Sequence, residues 1–229
     1  MLWMVTGGVG CGKSAYAEKW ATTLGREAIL LSCPAWPNGR DGDPDARGSV
    51  PPKPEGDKIS WMSWKADDKL SERLDQINLK SNPFRADSRV IVLDSLSGWL
   101  RKAIYEARKE PVLAAPADPP KRGRRRKLPE TEEVFKLRTD KVGKEFRRVV
   151  DALLRYHGRR IIVTEQPSLG LEADPWERWF AGELAAANRR LAERSTELRL
   201  LVSGVAMEIG SARTKRGNRY DEDLYPNRR

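Results

Sequence analysis

Apolar residues in this chain come in short unbroken bursts, and between the bursts they recur at helical spacing. Leu2 to Val5, Glu27 to Ser32 (EAILLS), Arg89 to Leu93 (RVIVL), Arg160 to Thr164 (RIIVT) and Leu198 to Ser203 (LRLLVS) are the bursts. Runs of that length read as strands buried on both faces, because a half-exposed strand would alternate. Ile59 to Trp64 reads as a further short strand. Trp61 and Trp64 are expected on one face of it, either as core packing or as a stacking surface for a flat ring.

Helices are expected between these strands. Lys13 to Leu24 offers Ala15, Ala17, Trp20, Ala21 and Leu24 as an apolar face, with Gly25 as its C-terminal cap. Asp67 to Leu79, Ser95 to Arg108 and Pro175 to Ser195 follow. Glu130 to Tyr156 is a long helix, with Val134, Leu137, Val142, Phe146, Val149, Val150 and Leu153 near the helical period. Strands alternating with helices predict an α/β fold, an open and mostly parallel sheet flanked by helices.

Two stretches break the pattern. One, near 33–58, is rich in Pro, Gly and Asp. The other, near 110–128, is rich in Pro and holds the basic block Lys121 to Lys127. Both read as insertions in a single domain over 1–210, and 211–229 reads as a polar tail. Leu198 to Ser203 is expected to be the last strand.

Composition narrows the setting. The 229 residues carry a net charge of +10, which suits phosphate-bearing ligands without choosing among them. Two cysteines, Cys11 and Cys33, are too few for a disulfide-built secreted domain or a structural zinc site. The first apolar run is too short for a signal peptide, and no run is long enough for a membrane span. A cytoplasmic protein is expected.

The chemistry begins right after the first strand. Gly7-Gly8-Val9-Gly10-Cys11-Gly12-Lys13-Ser14 fits G-x-x-x-x-G-K-[ST], with a strand before it and a helix after. Glycines let the backbone turn tightly and aim N–H groups at phosphate oxygens. The helix adds its positive N-terminus. Lys13 is positioned for the β and γ phosphates and Ser14 for Mg²⁺, so all eight residues are assigned to nucleotide binding. The third glycine of a dinucleotide fingerprint would fall on Lys13, so that alternative fails. The motif predicts a P-loop NTPase architecture of the RecA-like kind, with ATP or GTP as phosphoryl donor.

Such a site needs a carboxylate for the Mg²⁺ shell at a strand end. Asp94 follows Val90-Ile91-Val92-Leu93 and is assigned to it, with helix N-capping as its other reading. Glu165 follows Ile161 to Thr164. It is assigned to orient water or substrate, with a solvated loop charge as the alternative. Lys13, Asp94 and Glu165 are therefore the expected catalytic residues, and Ser14 and Asp94 the expected metal ligands.

Three segments together resemble one family. They are VTGGVGCGKSAYAEKWA near the start, VIVLDSLSGWLRKAI at 90–104, and 159–204 with Phe180, Asn188, Leu191, Ala192, Val202, Ser203 and Gly204 in register. The pattern is similar to the adenosylcobinamide kinase/adenosylcobinamide-phosphate guanylyltransferase family of cobalamin biosynthesis. The resemblance implies ATP- or GTP-dependent phosphorylation of the aminopropanol hydroxyl of a corrinoid. It also implies transfer of GMP through a histidine, and a trimer with the P-loop near a subunit interface. That histidine belongs to the segment after the second strand, and here 33–58 has none. The single histidine, His157, precedes a strand, so it is expected at the sheet edge away from the P-loop, with His157-Gly158 capping the long helix. The altered Glu165-Gln166-Pro167-Ser168 stands where the family carries Asn-Glu-x-Gly. Kinase chemistry is expected to survive, and guanylyl transfer lacks its usual residue.

Arg40, Arg47, Lys53 and Lys58 are candidate phosphate contacts or solvated charges. The Lys121 to Lys127 block leaves a second reading open: a P-loop NTPase or nucleotide-binding protein acting on another substrate, or on nucleic acid through this insertion. A third reading is a degenerate member without turnover.

Overall fold

The apolar bursts hydrogen-bond into one sheet. In the computed structural model, which describes residues 1–33, 59–80, 88–110, 131–167 and 174–211, the strands are β1 (Leu2–Gly7), β2 (Glu27–Ser32), β3 (Ser60–Lys65), β4 (Arg89–Asp94), β5 (Arg159–Val163), β6 (Glu197–Val202) and β7 (Val205–Ser211). Their order is β3-β2-β4-β5-β1-β6-β7. Every pairing is parallel except β6 with β7. The helices are α1 (Lys13–Leu24), α2 (Leu70–Lys80), α3 (Leu96–Lys109), α4 (Glu132–Arg155) and α5 (Pro175–Arg194). The open, mostly parallel sheet flanked by helices is the expected fold class.

Period-2 alternation sorts the side chains between two cores. Leu2, Met4, Ile29, Leu31, Ile91, Leu93 and Ile162 face α2, α3, α4 and α5. Trp3, Val5, Leu30, Val90, Val92, Ile161, Val163 and Leu201 face the side of α1. The runs are continuous because β1, β2, β4 and β5 are interior strands covered on both faces. Phe146 of α4 stacks on Trp99 of α3, with ring centroids 6.0 Å apart, and knits these helices together. Helix starts follow their caps: Thr131 accepts from Val134, and Asp174 accepts from Trp176 just before Pro175.

Several expectations need correcting. Leu198 to Ser203 is not the last strand, since β7 returns antiparallel along β6 and extends to Ser211. Its Val205, Met207 and Ile209 alternate and are exposed, leaving an apolar row on an edge strand. Trp61 and Trp64 do not share a face. They are three residues apart, an odd spacing in a strand; Trp61 packs against the α1-side core and Trp64 is exposed. In α1 the buried residues are Ala17 and Ala21, with Tyr16, Trp20 and Leu24 partly buried, while Ala15 is exposed. Leu137 of α4 is exposed as well.

Gly25 does cap α1, with extended backbone rather than a left-handed turn; its missing Cβ makes room for Val90. Tyr156, not His157-Gly158, caps α4. The guanidinium of Arg160 closes that helix end, donating to the carbonyls of Tyr156 (2.5 Å), Gly158 (3.2 Å) and Leu154 (3.3 Å). No described helix is long and apolar enough to cross a membrane. The stretch 34–58, the Lys121 to Lys127 block and the tail beyond Ser211 lie outside the described residues.

Candidate active site

Strands β4, β5 and β1 are neighbours, and they end together at one edge of the sheet. Asp94, Glu165 and the glycine loop therefore come to one place, although 70 or more residues separate each from the next along the chain. Parallel strands bind ligands at this C-terminal edge.

The loop has the conformation its glycines allow. Gly7 (φ 151°), Gly10 (φ 72°) and Gly12 (φ 90°) all sit at positive φ, which L side chains avoid. Gly12 is the N-cap of α1 and presents no side chain before the first helical N–H groups. The loop is braced from both sides: Gly204 N–H donates to Cys11 (3.2 Å), and Gln166 N–H donates to Gly7 (3.4 Å). Lys13 folds over it, its Nζ donating to the carbonyls of Gly7 (3.1 Å) and Gly8 (2.5 Å). Nζ lies 3.8 Å from Cys11 Sγ. Val9 is exposed at the loop tip.

Asp94 is buried at the end of β4, and burial raises its pKa above the usual carboxylate range. Two groups oppose that rise: the Ser14 hydroxyl, which hydrogen-bonds the carboxylate, and the charge of Lys13. The two expected metal ligands thus touch. Ser95, not Asp94, caps α3, its Oγ accepting from Gly98 N–H at 3.0 Å. The Asp94 side chain is left free of capping duty. Cys33 lies alongside: its N–H donates to the Asp94 carbonyl (2.7 Å) and its Sγ to the Ser95 carbonyl (2.7 Å). Burial, reinforced by the Asp94 charge, pushes this thiol up and keeps it neutral.

Glu165 is not a solvated loop charge. Its side chain is 19% exposed and accepts from Arg101 Nη2 at 3.2 Å. Arg101 Nη1 also reaches Glu177 of α5 (3.1 Å), and the guanidinium lies 3.8 Å from the centre of the Phe180 ring. The Glu165 carbonyl accepts from Asn188 Nδ2 (2.9 Å), and Asn188 Oδ1 accepts from the Thr164 hydroxyl (2.8 Å). The residue is fixed at both its backbone and its carboxylate.

His157 lies between α4 and β5, at the opposite edge, where its N–H donates to Asn78 Oδ1 (3.2 Å). Arg40, Arg47, Lys53 and Lys58 fall outside the described residues. Among the described residues no cluster of His, Cys, Asp and Glu would hold a metal unaided. The donors at Ser14 and Asp94 are a hydroxyl and a carboxylate, which fit Mg²⁺. That ion is commonly held by one or two carboxylates together with substrate phosphates.

Sequence reasoning missed Arg101 and Thr6. Arg101 meets its acids across 64 and 76 residues of chain. Thr6 is the last side chain before the loop, and its hydroxyl is buried without a hydrogen-bond partner among the described residues. No local pattern marks either one.

A family model described as cobinamide kinase / cobinamide phosphate guanyltransferase matches residues 3–209. No curated protein matches the chain. Among solved structures, an ATPase from the type III secretion system of pathogenic bacteria is similar at 13% identity and a TM-score of 0.41. The match covers 90% of this chain and 56% of that one, so the chain spans little more than half of its length.

Proposed function

Because the chain belongs to the cobinamide kinase / cobinamide phosphate guanyltransferase family, an enzyme family of cobalamin biosynthesis, we propose that it acts there as the kinase and does not transfer GMP through a histidine. The observation that carries this reading is the meeting of the P-loop, Ser14 and Asp94 at one sheet edge, with the chain's only histidine at the other.

In this reading ATP or GTP lies with its phosphates in the Gly7 to Ser14 loop. Loop N–H groups, the start of α1 and Lys13 hold the β and γ oxygens. The aminopropanol hydroxyl of adenosylcobinamide attacks the γ phosphorus. A new O–P bond forms as the bond between the γ phosphorus and the β–γ bridging oxygen breaks, and the nucleoside diphosphate leaves. The hydroxyl proton passes to the Glu165 carboxylate, which Arg101 orients. Ser14 and Asp94 are the residues that would hold Mg²⁺, and the ion would supply charge neutralisation for the phosphoryl oxygens. Positioning and charge neutralisation suffice for this chemistry, so the kinase step needs no histidine.

A family trimer is the expected assembly. The exposed apolar row Val205, Met207 and Ile209 on edge strand β7 supports self-association, which light scattering reads.

The test mixes protein, Mg²⁺ and γ-labelled ATP or GTP with adenosylcobinamide. Labelled cobinamide phosphate is expected from the wild type and from His157→Ala, and none from Lys13→Ala. A histidine-linked GMP adduct formed from α-labelled GTP, absent in His157→Ala, would overturn the reading of the missing histidine. Tight nucleotide binding with no labelled corrinoid would overturn the kinase assignment.

A further inference from the structure

Asn188 is an amide on the otherwise apolar inner face of α5. Trp176, Phe180, Leu184 and Leu191 are buried on that face, and steps of four and three residues carry it through Asn188. An aliphatic residue at this position would pack without needing a hydrogen-bond partner. Asn188 is half-buried and uses both ends of its amide. Its Oδ1 accepts from the Thr164 hydroxyl (2.8 Å), and its Nδ2 donates to the Glu165 carbonyl (2.9 Å). A carbonyl can only accept, so the partners themselves dictate this orientation of the amide.

Both bonds fall on the two residues that follow β5 at the P-loop edge of the sheet. Thr164 N–H donates to the Val5 carbonyl (2.9 Å) and Gln166 N–H to the Gly7 carbonyl (3.4 Å), so Glu165 stands between two ties to β1. Its own carbonyl is left to Asn188, with the Thr164 hydroxyl farther off at 3.4 Å. The carboxylate is held separately by Arg101, which Glu177 and Phe180 of the same helix hold in turn. Helix α5 thus reaches Glu165 by two routes: Asn188 takes the backbone, and Arg101 takes the side chain.

We propose that Asn188 is a positioning residue for phosphoryl transfer, fixing the backbone from which the Glu165 carboxylate meets the acceptor hydroxyl; the inference rests on the reading of Glu165 as the base. A base must lie within hydrogen-bond reach of the proton it takes. A displacement of about 1 Å costs about 100-fold in rate. Without Asn188 the carboxylate keeps its ion pair with Arg101, but the Glu165 carbonyl keeps only the longer contact with the Thr164 hydroxyl, so the backbone gains room to shift. Both bonds of Asn188 go to the end of β5 and neither goes to the P-loop. The rate should therefore depend on Asn188 far more than nucleotide binding does.

The test is a double-mutant cycle in the γ-label transfer assay, with nucleotide affinity and denaturant unfolding measured beside it. Asn188→Ala is expected to lower kcat about 10- to 100-fold and to bind nucleotide much as wild type does. Asn188→Asp keeps the bond from Thr164 and loses the donor to Glu165, so it should show the loss in kcat as well. Thr164→Val removes the other bond and should lower kcat less than either. In a Glu165→Gln background, where the base is already gone, Asn188→Ala should have no further effect on kcat. A residue that only stabilises the fold would lower kcat by the same factor in both backgrounds, and that result would overturn the proposal. So would a wild-type kcat in both Asn188 variants. A wild-type kcat in Glu165→Gln would remove the base, and this inference with it, while the kinase reading stands. A wild type that transfers no phosphate to the corrinoid would remove both.

Discussion

Replacing Asp94 by Asn should stabilise the free protein while removing its activity. The carboxylate is buried at the end of β4, and desolvation raises its pKa more than Ser14 and Lys13 lower it. A group whose folded pKa is raised contributes most stability below its unfolded value, where it is neutral. That contribution is lost as pH rises through the folded value. At neutral and alkaline pH the folded protein therefore carries an ionised, incompletely compensated charge. An amide has the same shape, still accepts from Ser14 and carries no charge. Relieving a desolvation penalty of this kind is worth about 1–2 kcal/mol after the lost Lys13 attraction is subtracted. For a chain of this size that corresponds to a Tm increase of about 2–8 °C.

The assay is thermal unfolding of wild type and Asp94→Asn without ligand from pH 4 to 9. The difference in Tm should grow with pH, level off above the folded pKa, and shrink toward pH 4, where the folded carboxyl is neutral and the unfolded one is near its ordinary pKa. Saturating Mg²⁺ and nucleotide should reverse the order. Ligand at 100 times its Kd adds about 2.7 kcal/mol to whichever protein binds it, and the variant lacks the metal-linked carboxylate. A lower Tm for Asp94→Asn at pH 8 without ligand would refute the reasoning, as would a gain that does not change with pH.

Two other substitutions test the frame around the site. Gly7→Ala places a Cβ at φ 151° and 2.8 Å from Cys11 Sγ; a loss of about 1–3 kcal/mol and of nucleotide binding is expected, by denaturant unfolding and titration. Arg101→Leu leaves Glu165 and Glu177 without the guanidinium they share. It should cost about 2 kcal/mol by denaturant unfolding and lower kcat far more than nucleotide affinity, whereas unchanged kcat would separate Arg101 from the proposed base.

Much of the site was legible because its parts are local. Eight consecutive residues define the P-loop, and strand polarity alone puts Asp94 and Glu165 at its edge of the sheet and His157 at the other. The apolar runs of β1, β2, β4 and β5 were plain because interior strands tolerate little polarity. Strand β7 escaped because Val205, Met207 and Ile209 alternate with smaller or polar residues after the Ser203-Gly204 turn, a weaker signal than an unbroken run.

What the sequence by itself determined is the order of the elements, the phosphate-binding loop and the strand ends that carry its carboxylates, because each depends on near neighbours in the chain. Only the tertiary structure decided which of the other side chains meet them. Arg101 becomes the partner of Glu165 because α3 packs beside α5 and β5. Contacts made across 60 or more residues depend on how helices seat on the sheet, and no periodicity along the chain encodes that.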